Sequence, residues 1–360
     1  MSKIKLFDPF LDGSEKNAIN QVLDSHFWAS GAGTGYVGKF EEKFSKYVGS
    51  KNSIAVNSGT AALNLALSMF DIKNKEVILP SLSFVSTAHA VILNGGIPIF
   101  ADIDSQTLCI DPIQIKKLIS KKTKIILPVH FAGLPANLYE IKKICKENNL
   151  YLIEDAAHAS GSSYQNKKIG RHGDLVCFSF HPVKNLAMPT GGLISINTKN
   201  YKKISTILKE KRWCGISNRK GITYDVKNVG WNYYMNEFSA AIGIEQLKKL
   251  DNLNNVRKKI AKLYNKKINL EHKMMYDENS SYHIFWIRVK KRNQFRKKMS
   301  NVGIETGIHY KPIHTFSMYA KNNTLPITEK IANEIVSIPI HPNLSDDEIE
   351  KIINSVNKFS

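Results

Sequence analysis

Lys184 stands in the run Cys177-Phe-Ser-Phe-His-Pro-Val-Lys184, ahead of Gly191-Gly192. A primary amine can form a Schiff base with an aldehyde, give it up to an incoming amine, and then move protons. Arginine cannot, because it stays protonated. Two upstream groups would give this amine its work. Ser58-Gly59-Thr60 opens a helical run. Backbone N–H groups at a helix start, with the dipole behind them, cradle a phosphate, and small residues allow close approach. Glu154-Asp155-Ala-Ala-His158 closes an apolar run, and a carboxylate at that place can keep a pyridinium nitrogen protonated. Ser179 can add a hydroxyl to the phosphate. Amine, anion cradle and carboxylate are the parts of a pyridoxal 5′-phosphate (PLP) site.

Taken singly, these residues also have plainer readings. Ser58 would serve as a simple helix cap, and Asp155 as a cap at a strand end. Asp155 and His158 as a metal pair would need a third ligand, and none is evident, so no metal is expected. His158 reads instead as a neighbour of the same cofactor. Gly31-Ala-Gly-Thr-Gly35 follows no convincing strand and is not a dinucleotide fingerprint.

The elements that would position these residues follow from hydrophobic periodicity. Residues 14 to 26, Ala61 to Phe70, Phe84 to Leu93 and Leu138 to Asn148 have helical spacing. Val77 to Leu79, Ile97 to Phe100, Ile125 to Val129, Tyr151 to Ile153 and Leu175 to Phe180 are short apolar runs that predict strands buried on both faces. Such alternation implies an α/β fold with a mostly parallel sheet, and ligands in such sheets bind beyond the carboxyl ends of the strands. After about residue 235 the pattern changes. A long helical stretch, Asn236 to Asn265, leads to a strand at Ile284 to Val289 and two further helices. Ser345-Asp-Asp-Glu348 is a capping box for a last helix. The division expected is a large α/β domain over residues 1–245 and a smaller α+β domain over 246–360.

Composition limits the alternatives. A chain of 360 residues, 42% hydrophobic and with 12 prolines, suits a folded enzyme. The formal charge of +20 could mark a nucleic-acid binder, but the lysines are scattered in pairs such as Lys121-Lys122 and Lys258-Lys259. They read as a solvated surface, and no nucleic-acid partner is expected. Val77 to Ile103 is broken by Pro80, Gly95, Gly96 and Pro98, so no membrane span is expected. The start of the chain lacks a leader pattern. The four cysteines form no C-x-x-C pair, which fits a reducing cytoplasm.

In order along the chain, these pieces resemble the DegT/DnrJ/EryC1/StrS family of PLP-dependent sugar aminotransferases, of fold-type I. The resemblance runs nearly end to end. It takes in Trp28-Ala-Ser-Gly31, Ala55-Val-Asn-Ser-Gly-Thr-Ala-Ala-Leu63, Pro80-Ser-Leu-Ser-Phe84 and Ile153-Glu-Asp-Ala-Ala-His158. It continues through Phe178-Ser-Phe-His-Pro-Val-Lys184, Gly230-Trp-Asn-Tyr-Tyr-Met-Asn-Glu237, Gly307-Ile-His-Tyr310 and His314.

The resemblance implies roles. Lys184 is the lysine of the internal aldimine, and Asp155 pairs with the pyridine nitrogen. Gly59, Thr60 and Ser179 hold the phosphate. Phe84 stacks on the ring, and His158 sits near its hydroxyl. Asn232 reaches the phosphate in a neighbouring subunit, which makes a homodimer with shared active sites. His309, Tyr310 and His314 belong to the substrate side. Two segments depart from the pattern. Many relatives have Thr-Thr-Gly-Glu-Gly-Gly after the lysine, where this chain has Asn185-Leu-Ala-Met-Pro-Thr-Gly-Gly192. The stretch from Leu270 to His283 is short. Both lie near the acceptor side in the family.

The expected activity is transfer of an amino group from L-glutamate to the ketone of a nucleotide-linked keto sugar, in surface-polysaccharide or glycoconjugate biosynthesis. The alternative acceptor is a smaller phosphorylated ketone such as a triose phosphate. The alternative of another class is a non-catalytic regulatory or nucleic-acid-binding relative, which a visible absorption spectrum would separate.

Overall fold

The computed structural model describes residues 3–320 and 324–360. At its centre is a seven-stranded sheet in the order Asn52–Val56, Gly192–Ile196, Leu175–Ser179, Tyr151–Asp155, Thr123–Ile126, Glu76–Pro80, Ile97–Ala101. Leu175–Ser179 and the four strands beyond it are mutually parallel. Gly192–Ile196 runs antiparallel to both its neighbours. The sheet is therefore mostly parallel, with a reversed strand near one edge. The strands expected from the apolar runs are all present, with ends shifted by up to three residues, the most at Thr123–Ile126. Asn52–Val56 and Gly192–Ile196 were not anticipated. Their sequences are short and mixed, and their partners are remote in the chain.

Side chains alternate across each strand. On Leu175–Ser179, Val176 and Phe178 join one core cluster, while Leu175 and Cys177 join another. The first cluster contains Phe40 and Phe44 of the Tyr36–Val48 helix, with Phe44 edge-on to Phe178 at 5.0 Å between centroids. The second contains Ala62, Leu63 and Ala66 of the Gly59–Leu67 helix. Both faces of the sheet are thus covered.

The Gly31–Gly35 stretch, set aside as a nucleotide motif, has a packing reason. A Cβ on Gly33, where φ is +68°, would lie 1.9 Å from Arg212 Nη2. That arginine is fully buried and pairs with Glu41 at 2.5 Å.

The Glu237–Lys267 helix is 31 residues long, so position 245 falls within it. Asn236 caps it by accepting the Ser239 N–H at 2.8 Å. Beyond it, Phe285–Arg288 pairs antiparallel with Ile335–Ile338. The helices Arg292–Asn301, Pro326–Glu334 and Asp346–Phe359 complete a smaller α+β part. The last helix carries the capping box, with Ser345 Oγ accepting from Glu348 N–H and Glu348 Oε2 accepting from Ser345 N–H. Residue Ile4 bridges Ile304, which ties the start of the chain to this C-terminal part. Among the described residues no helix is long and apolar enough to cross a membrane.

Candidate active site

A cavity of about 330 Å³ opens at the carboxyl ends of the parallel strands. Gly59, Thr60, Phe84, Asp155, His158, Ser179, Lys184, His309 and Tyr310 all line it. Asn232 does not. It lies exposed beside the Trp213 bridge, outside the cavity of its own chain. His314, expected on the substrate side, is also absent from the lining. Its ring is buried, with Nδ1 2.6 Å from Ser81 Oγ and Nε2 3.2 Å from Glu329 Oε1. Those two contacts occupy both ring nitrogens, so the residue clips the chain to the end of the Glu76–Pro80 strand.

One wall is the start of the Gly59–Leu67 helix. Ser58 caps it by accepting the Ala61 N–H at 3.1 Å, which leaves other first-turn N–H groups free. A Cβ on Gly59 would lie 2.6 Å from Ser179 Cβ. Glycine therefore lets the helix start press against the end of the Leu175–Ser179 strand. The hydroxyls of Thr60 and Ser179 border the same place.

Asp155 forms the floor, only 4% exposed. Its Oδ2 accepts from Thr87 Oγ1 at 2.9 Å and its Oδ1 from Ala157 N–H at 3.1 Å. Burial pushes the carboxyl above the usual carboxylate range, while these hydrogen bonds work the other way. Thr87 in turn contacts Ser83 Oγ at 2.8 Å.

Lys184 is half-buried, and its Nζ lies 3.4 Å from His283 Nε2. Burial pushes the amine down to about 8, with the charge of Asp155 opposing. The amine is therefore far easier to deprotonate than an ordinary lysine.

His158 accepts the Ala132 N–H on Nδ1 at 3.3 Å. Burial holds this ring well below the ordinary histidine value, so it is neutral. With Nδ1 used as acceptor, the proton sits on Nε2 and is donated to Tyr310 Oη at 3.0 Å. The Tyr310 hydroxyl proton is left free to serve a ligand. Burial also holds His283 well below the ordinary value, and His309 down to about 4. His309 Nδ1 is anchored on Ser337 Oγ at 2.8 Å. Phe84, at 57% exposure, stands at the mouth with its centroid 6.1 Å from that of Tyr310.

Sequence reasoning missed Thr87, His283 and Phe7. Phe7 stacks on His283 at 5.3 Å and 18°, and both line the cavity. Each is an ordinary residue in an ordinary run, with no local signal.

The site suits PLP on its own chemistry. A glycine-tight helix start with two hydroxyls fits a phosphate. A buried carboxylate, raised by desolvation, has a place for a cationic ring nitrogen that would draw it back down. A depressed amine stands over the same cavity.

Comparison with known proteins agrees. The family model described as "DegT/DnrJ/EryC1/StrS aminotransferase family" matches residues 9–357. GDP-perosamine synthase of Escherichia coli O157:H7 is 33% identical, with 100% of this chain and 99% of that protein covered. Spore coat polysaccharide biosynthesis protein SpsC of Bacillus subtilis is 32% identical, covering 97% of this chain and 95% of that protein. Among solved structures, Helicobacter pylori PseC, an aminotransferase involved in the biosynthesis of pseudoaminic acid, superposes with a TM-score of 0.93. It is 29% identical, with 99% of both chains covered. DesV of S. venezuelae, solved in complex with a ketimine intermediate, gives a TM-score of 0.92 at 28% identity, covering 99% of this chain and 98% of that one.

Proposed function

Since the chain belongs to the DegT/DnrJ/EryC1/StrS aminotransferase family and is a PLP-dependent aminotransferase, we propose that it moves the amino group of L-glutamate to the ketone of a nucleotide-linked keto sugar. The setting proposed is surface-polysaccharide biosynthesis. The names of two relatives, a GDP-sugar synthase and a coat-polysaccharide protein, support that setting.

The observation that carries the reading is the convergence of Lys184, Asp155 and the Gly59 helix start on one cavity. Bound PLP supplies an aldehyde for amine exchange and a ring that takes up electron density. The protein's own residues would do the rest. The helix start, Thr60 and Ser179 would hold the phosphate. Asp155, fixed by Thr87 and Ala157 N–H, would keep its charge against the ring nitrogen. Phe84 would cover the ring at the mouth. Lys184, easily deprotonated, would carry the proton between donor carbon and cofactor. Tyr310, with its hydroxyl proton freed by His158, would donate to a substrate oxygen, with His309 beside it.

Asn232 lies outside its own cavity, and we place it in the phosphate cradle of a second copy. The assembly proposed is accordingly a homodimer with shared sites.

The test is a half-reaction. Enzyme converted to its amine form by L-glutamate and freed of donor is mixed with a panel of keto compounds. A nucleotide-linked keto sugar should restore the aldehyde-form absorbance fastest. A triose phosphate ketone that does so far more efficiently would overturn the acceptor assignment.

A further inference from the structure

A second, small cavity lies behind Lys184, and it holds a cation the reaction has not yet used. Arg257, from the middle of the Glu237–Lys267 helix, is 7% exposed. Its Nη1 donates to Asn254 Oδ1 at 3.2 Å. Among the described residues no carboxylate pairs with it, and burial alone pushes it down to about 9, still cationic at neutral pH. A buried guanidinium without a counter-charge is costly. Asp8 lines the same cavity, but its carboxylate is engaged by Lys5 at 2.8 Å and Asn343 at 2.6 Å. His341 lines it too. Its Nε2–H donates to Lys5 O at 3.1 Å, and its buried Nδ1 has no partner in the protein. An uncompensated cation and an unsatisfied imidazole nitrogen in one cavity call for a polar occupant that the chain does not supply.

The position of this cavity identifies that occupant. Phe7, Val183, Lys184 and His283 line both the small cavity and the large one. Arg257 is thus one layer of side chains from the reacting amine. Asn185, next to Lys184, ties the two together. Its Nδ2 donates to Asn254 Oδ1 at 2.8 Å and to Ser281 O at 2.7 Å. Among the described residues Lys184 is the only lysine or arginine lining the large cavity, and burial lowers the proton affinity of the four histidines there, His158, His181, His283 and His309. Among the described residues a dicarboxylate donor finds no other cation there.

Phe7 lines both cavities and forms part of the wall between them. It sits on a strap along the C-terminal part, held by the Ile4 N–H to Gly303 O at 2.8 Å and the Leu6 N–H to Glu305 Oε2 at 3.1 Å. With Phe7 seated on His283, the small cavity measures about 10 Å³, room for one water-sized group. A carboxylate needs the ring to swing aside.

We infer that Arg257 is the receptor for a carboxylate of the amino donor, reached when Phe7 lifts from His283. The inference rests on the proposed identity of the donor as a dicarboxylic amino acid. Glutarate, which has both carboxylates and no amine, is the probe. Binding to the PLP-loaded enzyme is measured by calorimetry, and the complex is crystallised. A glutarate carboxylate should lie at about 3 Å from the guanidinium, the distance of a charge-assisted hydrogen bond. Arg257→Gln should weaken glutarate by about tenfold or more, and Arg257→Lys by less. Phe7→Ala, on a half-buried strap, should bind glutarate at least as tightly as the wild type. Glutarate found elsewhere in the wild-type complex overturns the inference whether or not Arg257→Gln folds. So does chloride that binds the same site as tightly as glutarate, which would mark a site for small inorganic anions. Failure of the functional reading looks different: no amino donor then changes the cofactor absorbance of the wild type. If only the inference fails, L-glutamate converts wild type and Arg257→Gln equally.

Discussion

Thr87→Val tests how Asp155, the proposed carboxylate partner of the cofactor, is held. Thr87 is fully buried, and its hydroxyl lies 2.9 Å from Asp155 Oδ2 and 2.8 Å from Ser83 Oγ. Valine keeps the branched shape and removes the donor. The Asp155 carboxylate then retains one hydrogen bond, from the backbone N–H of Ala157. Burial already raises its proton affinity, so losing Thr87 makes the carboxylate less ready to stay charged. A hydrogen bond to a charged group contributes about 1.5–3 kcal/mol, which corresponds to roughly 10- to 150-fold in a dissociation constant. PLP should therefore bind that much more weakly to the apoenzyme, measured by absorbance or fluorescence titration. Thr87→Ser restores the hydroxyl and should recover most of the affinity. A folded Thr87→Val enzyme that binds PLP as tightly as the wild type would refute the idea that Thr87 holds the charge on Asp155.

Other outcomes follow from the same geometry. Asp155→Asn should slow single-turnover transamination by about a hundredfold, or roughly 2.7 kcal/mol of barrier; a near-normal rate would mean another group protonates the ring. In the apoenzyme the Lys184 amine, pushed down to about 8, becomes neutral as the pH climbs through that value. Labelling by an amine reagent should therefore rise near pH 8, and a midpoint at the ordinary lysine value of 10.5 would contradict the burial argument. Gly59→Ala puts a carbon 2.6 Å from Ser179 Cβ, an overpacking cost of about 1–3 kcal/mol; it should lower both the melting temperature and PLP affinity, and unchanged values for both would show that the helix start has slack. Mixing inactive Lys184→Ala chains with inactive Asn232→Ala chains should restore some activity, and verified heterodimers without it would count against a shared site.

By itself the sequence determined the class of chemistry and the architecture. Asp155 and the Ser58-Gly59-Thr60 start sit at the edges of regular elements, Lys184 follows the Leu175–Ser179 strand by five residues, and periodicity shows where those elements end. In a parallel sheet the carboxyl ends of strands gather on one side, so these residues had to meet near one another. The capping box at Ser345 was legible for the same local reason, whereas the cap at Asn236 showed only in the fold. Tertiary structure decided what depends on remote neighbours. Gly192–Ile196 is a strand because Leu175–Ser179 and Asn52–Val56 flank it, and its own residues do not say so. Thr87 and His283 matter only through Asp155 and Lys184, which folding brings to them across long stretches of chain. His314 has the type of a substrate ligand, yet Ser81 and Glu329 take both its nitrogens. Arg257 looks in sequence like one basic residue of a solvated helix, and burial beside Asn254 without a carboxylate makes it a candidate receptor. Burial and partner identity set the charge and reach of a side chain, and both are properties of the folded chain.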